Sequence, residues 1–160
     1  MIFVIVFLPL LGAIISGFWG RKLGDNYSMM LTSGFLVISM ILGWFEFFKL
    51  SQSHLDIIFP LMNWIEVGSF SASWALRYDM LTAVMVIVIT TISAMVHIYS
   101  IGYMSHDDSK PRFMSYLSLF TFAMLMLVTA DNLIQLFFGW EGVGLASYLL
   151  IGFWYHKPSA

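Results

Sequence analysis

The chain of 160 residues is 60% hydrophobic and only 10% charged, with a formal net charge of −2 at pH 7 and no cysteine. Soluble domains are typically about 45–50% apolar and about 25% charged, so this composition predicts an integral membrane protein. The lack of cysteine excludes disulfides, thiolate metal sites and iron–sulfur ligation within these residues, and the sequence contains no basic cluster typical of nucleic-acid binding.

Five stretches are apolar enough, and long enough at about 20 residues, to cross a bilayer as helices. They cover approximately residues 2–20, 28–48, 79–104, 113–130 and 132–155. The turn between the last two, around Ala130 to Asn132, is very short, so these helices are expected to be antiparallel neighbours. The predicted fold is an all-α polytopic membrane domain that occupies residues 1–160.

The segment between the second and third helices has a different pattern. Trp64–Val67 and Phe70–Leu76 partly alternate apolar and polar residues, and they flank a Gly68–Ser69 step. Two strands joined by two such residues are typical of a β-hairpin. We expect a hairpin at the membrane face, and the alternative is an irregular interfacial loop anchored by tryptophans.

Basic residues are distributed unevenly between the two sets of helix ends. The first and third junctions and the C-terminal tail hold five of them: Arg21, Lys22, Lys110, Arg112 and Lys157. The opposite side holds only Lys49 and Arg77. Because positively charged flanks favour the cytoplasmic side, this asymmetry predicts an N-terminus outside, a tail inside and an outward-facing hairpin.

Glu141 is the only acid in the middle of a predicted spanning helix. At ~1.5 Å per residue it lies about 13 Å from the outer helix start, near the centre of a ~30 Å hydrocarbon core. A carboxylate at this depth is costly and is by default a functional-site hypothesis. The alternative is a neutral, hydrogen-bonded acid that stabilises helix packing.

The surroundings of Glu141 offer space but no cation. Gly142 and Ala146 have the small-xxx-small spacing that lets helices approach closely. Tyr148 is the nearest polar group on the face of Glu141, two turns further inward. None of the five apolar stretches contains Lys or Arg, so any basic partner of Glu141 is expected outside these residues.

A polar stripe follows the third helix. Its members share one helical face: Asp79, Thr82, Thr90, Ser93, His97 and Ser100. Hydroxyls with one histidine are suited to a hydrated half-path for protons, because histidine titrates near neutral pH. In the alternative interpretation the hydroxyls bond to carbonyls of their own helix and His97 is a satisfied packing residue. The candidate proton path therefore contains Asp79, Thr90, Ser93, His97 and Tyr148.

Two further acids have simpler interpretations. Asp131 precedes the fifth helix and is interpreted as an acid that caps the helix start. Glu46 and Lys49 are spaced i, i+3 near the end of the second helix and are expected to form an interfacial ion pair.

The run Gly-Trp-Glu-Gly-Val-Gly-Leu-Ala-Ser-Tyr-Leu-Leu-Ile-Gly-Phe at 139–153, with its lead-in Ala130–Leu133, resembles one family closely. This family is the L-type antiporter-like subunit of respiratory complex I, called chain 5 in mitochondria. Asp79, His97–Tyr99 and Tyr103–Met104 are also similar to it. The resemblance covers essentially the whole chain and is strongest over the last helix.

Related families match this run less well. The sibling M- and N-type subunits share the glutamate but differ around it. Multisubunit Na⁺/H⁺ antiporters share the Trp-Glu pair and the Leu-Leu-Ile-Gly run without the Gly-Val-Gly neighbourhood. The plastid NADH-dehydrogenase-like F-type subunit shares the Ser-Tyr-Leu-Leu-Ile-Gly-Phe ending, and Gly142 favours the L-type assignment.

The resemblance implies a function for Glu141 and a context for the chain. In that family the matching glutamate belongs to a proton-translocation channel and works with lysines on later helices, so the chain is expected to be the N-terminal part of a larger subunit. NADH oxidation by quinone, with FMN and iron–sulfur clusters, takes place in other subunits, so no cofactor or metal is expected here. The implied partners are the other membrane subunits, chiefly the M-type sibling, within a bacterial or mitochondrial inner membrane.

Overall fold

The computed structural model describes residues 1–53 and 55–155. Along the chain the elements are α1 (Ile2–Leu23), α2 (Asp25–Ser53), β1 (Ile57–Val67), β2 (Phe70–Tyr78), α3 (Met80–Tyr103), α4 (Lys110–Val128) and α5 (Leu133–Ile151). All five helices are long enough and apolar enough to cross a membrane. The five-helix prediction is confirmed, and the chain is a membrane protein.

The helix bounds differ from the predicted spans at several ends, because hydropathy detects apolar residues and not the caps and contacts at which a helix begins or ends. The second helix is longer than 28–48, and it starts directly after Gly24, whose φ is 87°. The third begins at Met80 because Asp79 is its cap. The fourth occupies 110–128 instead of 113–130, and the fifth ends at Ile151 instead of 155.

Helix α4 is the centre of the assembly. It packs against α1, α2, α3 and α5, while α2 also packs against α1 and α3. Ile5, Val6, Val86 and Leu125 belong to the buried apolar core between these helices. Helix α5 is the least covered: its buried residues are Gln135, Gly139 and Ala146.

The segment between α2 and α3 is an antiparallel β-hairpin. Val67 pairs with Phe70 across the Gly68–Ser69 turn, and Gly68 adopts the positive φ of 59° that glycine tolerates best. The hairpin prediction is confirmed, and the alternative of an irregular loop is wrong. Both strands are longer than the predicted segments. Register shifts near Pro60 and Asn63 interrupt the alternation of apolar and polar residues on which the prediction was based.

The hairpin, the chain start and the α4–α5 turn share one end of the bundle, where the Phe3 and Phe59 rings lie 6.2 Å apart. The α1–α2 and α3–α4 turns share the other end, where Lys110 Nζ lies 3.2 Å from Asp25 Oδ2. Four of the five basic residues assigned to the inner side lie in or beside these two turns, and Lys157 lies outside the described residues.

Candidate functional site

Glu141 lies on the open face of α5. Phe137, Leu145 and Tyr148, which share this face, are 55%, 58% and 74% exposed, and Glu141 is itself exposed. Gly139 and Ala146 are buried on the opposite side of the helix. The carboxyl group therefore lies at a surface that the five helices do not cover.

No residue in 1–53 or 55–155 forms a hydrogen bond or ion pair with Glu141. The ion pairs within these ranges all lie at helix ends or beside the hairpin. Because an uncompensated carboxylate is costly in hydrocarbon, such a face is normally covered by protein or water. The exposed face of α5 is thus the surface at which a partner of Glu141 would lie.

Two glycines bring α5 close to α4. A Cβ at Gly139 would lie 2.7 Å from both Leu127 Cα and Leu127 N, and one at Gly142 would lie 3.3 Å from Ala123 Cβ. Glycine at these positions permits the close approach of the backbones that helix association in membranes favours. Gly139 is on the buried side of α5, away from its open face.

His97 is completely buried between α3 and α4. Its Nδ1 lies 2.8 Å from the Ser93 carbonyl oxygen and its Nε2 lies 2.9 Å from Ser118 Oγ. Because a carbonyl only accepts, this geometry assigns the ring hydrogen to Nδ1, and the Ser118 hydroxyl donates to Nε2. A neutral imidazole satisfies both contacts.

The network continues through a second pair of hydroxyls. Thr121 Oγ1 donates to the Leu117 carbonyl at 3.0 Å, and Ser93 Oγ is hydrogen-bonded to Thr121 Oγ1. Ser118 and Thr121 thus face α3, while Ala123 of the same helix faces α5. Because α4 separates the two sites, the structure does not bring His97 together with Glu141.

The other candidates on α3 have partners in the backbone. Thr90 Oγ1 donates to Val86 O and Ser100 Oγ donates to Val96 O, both at 2.7 Å, which is the pattern of hydroxyls satisfied within their own helix. Thr82 Oγ1 instead donates to Val128 O of α4 at 3.3 Å. Tyr148 lies on the open face of α5 and is 74% exposed.

An ion cluster lies beneath the hairpin. Asp79 Oδ1 accepts from Thr82 N at 2.8 Å, and Asp79 Oδ2 lies 3.5 Å from Arg77 Nε. The Thr82 backbone N–H, with a smaller contribution from the Arg77 guanidinium, holds the pKa of Asp79 below its ordinary value although partial burial opposes this shift. Arg77 Nη1 also lies 4.0 Å from Asp131 Oδ1.

The interpretation of Asp131 as the cap of α5 is wrong. Asn132 is the cap, and its Oδ1 accepts from Gln135 N at 3.0 Å. Asp131 lies one residue too early for this bond and contributes charge near Arg77 instead. The predicted pairing of Glu46 with Lys49 is confirmed, since Glu46 Oε2 lies 4.0 Å from Lys49 Nζ.

Sequence reasoning did not predict two buried polar contacts. Glu46, already expected to pair with Lys49, is 5% exposed and its Oε1 also lies 3.9 Å from the N-terminal amine. Gln135 is completely buried and pairs with Ala75 of β2. The sequence signal for Gln135 was its uncharged polar side chain in a mostly apolar helix, six positions before Glu141.

Within 1–53 and 55–155, no three His, Cys, Asp or Glu side chains are grouped as a metal site.

The fold and site together define a polytopic membrane protein with an acid on an open helix face. The family model for the N-terminus of chain 5 of NADH-ubiquinone oxidoreductase (complex I) matches residues 64–114. The model for the transmembrane region of NADH:quinone oxidoreductase and the Mrp antiporter matches residues 130–160.

Similar relatives carry matching names. NADH-quinone oxidoreductase subunit L of Rhodobacter capsulatus is 54% identical over 98% of this chain and 23% of the relative. NADH-ubiquinone oxidoreductase chain 5 is 52% identical in Chondrus crispus and 52% in Arabidopsis thaliana, in each case over 100% of this chain and 24% of the relative. The chain therefore belongs to the chain 5, or subunit L, family of complex I. It spans about a quarter of the length of these relatives. Their names do not favour the alternatives of a multisubunit Na⁺/H⁺ antiporter subunit or a plastid F-type subunit.

Proposed function

We propose that this chain contributes to proton translocation by NADH:quinone oxidoreductase and that Glu141 carries the proton. The observation that supports this most directly is the position of Glu141. It lies near the middle of a spanning helix, on an exposed face, with no basic partner among residues 1–53 and 55–155. A purely structural acid would be expected to have its hydrogen-bond partners inside the bundle.

The mechanism requires a cation that approaches the open face of α5 and then withdraws. A charged carboxylate in the membrane is stable only while it is paired or hydrated, because its desolvation costs several kcal/mol. Approach of the cation therefore favours release of the proton from Glu141, and withdrawal favours its uptake. Coupling of this movement to electron transfer elsewhere would make the cycle directional.

The polar groups of α3 are proposed as a second part of the path. Ser93 and His97 are hydrogen-bonded to Thr121 and Ser118 of α4. Thr90 lies about one turn from Ser93 towards Asp79, which caps the start of α3. We propose that Tyr148, which is exposed on the same face as Glu141, also takes part. Since α4 separates His97 from Glu141, these groups would have to form a branch separate from Glu141 or connect through water.

The proposed context is a translocase subunit without redox groups of its own. The names of the relatives support membership of complex I, in which FMN, iron–sulfur clusters and quinone would belong to other subunits. We propose the M-type sibling as the chief neighbour and a bacterial or mitochondrial inner membrane as the location. The charge asymmetry of the helix ends supports an N-terminus on the outer side.

The test is Glu141→Gln in the complete complex, reconstituted into vesicles. The substitution keeps the shape of the side chain and removes its titration. We expect the protons pumped per NADH to fall at least twofold while the complex assembles. Glu66→Gln is the matched control, since Glu66 is exposed on the hairpin. An assembled Glu141→Gln complex that pumps as wild type would refute the proposal.

A further inference from the structure

The free edge of β2 is covered by the turn between α4 and α5. Alternate residues of a strand direct their main-chain groups to the same edge. Ser73 O accepts from Asn132 Nδ2 at 2.6 Å, and Arg77 N donates to Thr129 O at 2.8 Å. Between these two positions, Ala75 is bonded to Gln135. The turn thus takes the place of a third strand.

Gln135 holds the centre of this contact. Its Nε2 donates to Ala75 O at 2.8 Å and its Oε1 accepts from Ala75 N at 3.1 Å, so one side-chain amide imitates a strand partner. The side chain is completely buried. Because buried amides that lose their partners are destabilising, the position of Gln135 against β2 is strongly constrained.

Aromatic contacts also join the hairpin to the start of α5. The Trp74 ring of β2 lies 4.8 Å from the Phe138 ring of α5, and the Trp64 ring of β1 lies 6.2 Å from it. Both hairpin strands therefore contact the first turns of α5. Gln135 and Glu141 are separated by six residues, or about 9 Å along the helix.

We propose that Gln135 is a positioning residue, through which the edge of the hairpin sets the rotation and height of α5 and thereby aims Glu141 at its partner. The hydrogen bonds fix one end of the helix, and an α-helix transmits rotation along its length over this short distance. The functional importance of the orientation of Glu141 rests on the proposed function. The effect of Gln135 on the position of α5 can be measured separately.

The variants are chosen to break the contact without disturbing other features. Gln135→Leu removes both amide hydrogen bonds at similar volume. Gln52→Leu is its control, since Gln52 is exposed on α2. Asn132→Ser keeps an oxygen that can cap α5 but removes the amide donor to Ser73 O without adding a charge, so it removes one hydrogen bond from the same edge instead of two.

The principal measurement is modification of Glu141 by a hydrophobic carbodiimide, which reacts with protonated carboxyl groups, followed by mass spectrometry across a pH series in the complete complex. We expect the pH midpoint of modification to move by at least half a unit in Gln135→Leu, by less in Asn132→Ser, and not at all in Gln52→Leu. Protons pumped per NADH should fall in the same order, while NADH oxidation continues.

The outcomes separate this inference from the proposed function. Normal pumping by Glu141→Gln together with a shifted midpoint in Gln135→Leu would refute the proposed function and leave the positioning role intact. An unchanged midpoint in an assembled Gln135→Leu complex would overturn the positioning role alone. If Gln135→Leu and Asn132→Ser both fail to accumulate while Gln52→Leu does, the contact serves folding, and the positioning role is again overturned.

Discussion

Gly139 of α5 lies so close to Leu127 of α4 that a Cβ on the glycine would come within 2.7 Å of Leu127 Cα. At about 100° per residue, Glu141 is on roughly the opposite side of α5 from Gly139. Glu141 and this close contact of the helix pair therefore lie on opposite sides of α5. Gly139 shares the buried side with Gln135 and Ala146.

Gly139→Ala should destabilise the packing of α5 on α4. The added methyl group meets backbone atoms, which cannot move aside as a flexible side chain can, and overpacking typically costs about 1–3 kcal/mol. The check is the thermal midpoint of the purified complex. Gly144→Ala is the control, because a Cβ there meets nothing within 4 Å. Equal midpoints for the two variants would contradict the close approach.

Ser118→Ala should destabilise the contact between α3 and α4. The substitution removes the hydroxyl that donates to His97 Nε2 and leaves a buried ring nitrogen without that partner, a loss of about 1–3 kcal/mol. Ser33→Ala is the matched control, since Ser33 Oγ is buried without a hydrogen-bond partner in the described structure. Thermal unfolding in detergent would show a lower midpoint for Ser118→Ala alone. A larger loss in Ser33→Ala would contradict the assigned network.

Asp79→Ala should cost about 1 kcal/mol at neutral pH, the usual loss for a helix cap. The pKa of Asp79 is lowered in the folded state, so its stabilisation is fully present above the ordinary aspartate pKa and is lost as pH falls through the lowered folded value. The difference in unfolding free energy between wild type and variant should therefore be constant near neutrality and shrink in acid. A difference that grows in acid would contradict this assignment.

Much of the fold follows from the sequence because its strongest signals are local. The apolar runs located five helices, and the Gly68–Ser69 step located the hairpin turn. The ends of α2 and α5 were less accurate because caps and tertiary contacts determine them. After α5 ends, Phe153 is buried with the Arg112 guanidinium 4.7 Å from its ring centroid, a contact between distant residues that no local pattern shows.

The candidate site was predictable in part for the same reason. Glu141 is conspicuous because it is the only charged residue in a predominantly apolar predicted helix. Gln135 has no such contrast, and its importance depends on the edge of a strand 60 residues earlier in the chain. The partners of His97 on α4 were missed likewise, since serine and threonine are common in membrane helices and only packing shows which of them meet the ring.

The most direct measurement of the central claim is infrared difference spectroscopy of the complete complex during NADH oxidation. If Glu141 carries the proton, turnover should produce a protonated-carboxyl C=O band that disappears in Glu141→Gln and persists in Glu66→Gln. A band that persists unchanged in Glu141→Gln, or no carboxyl signal in a wild-type complex that pumps, would contradict the account.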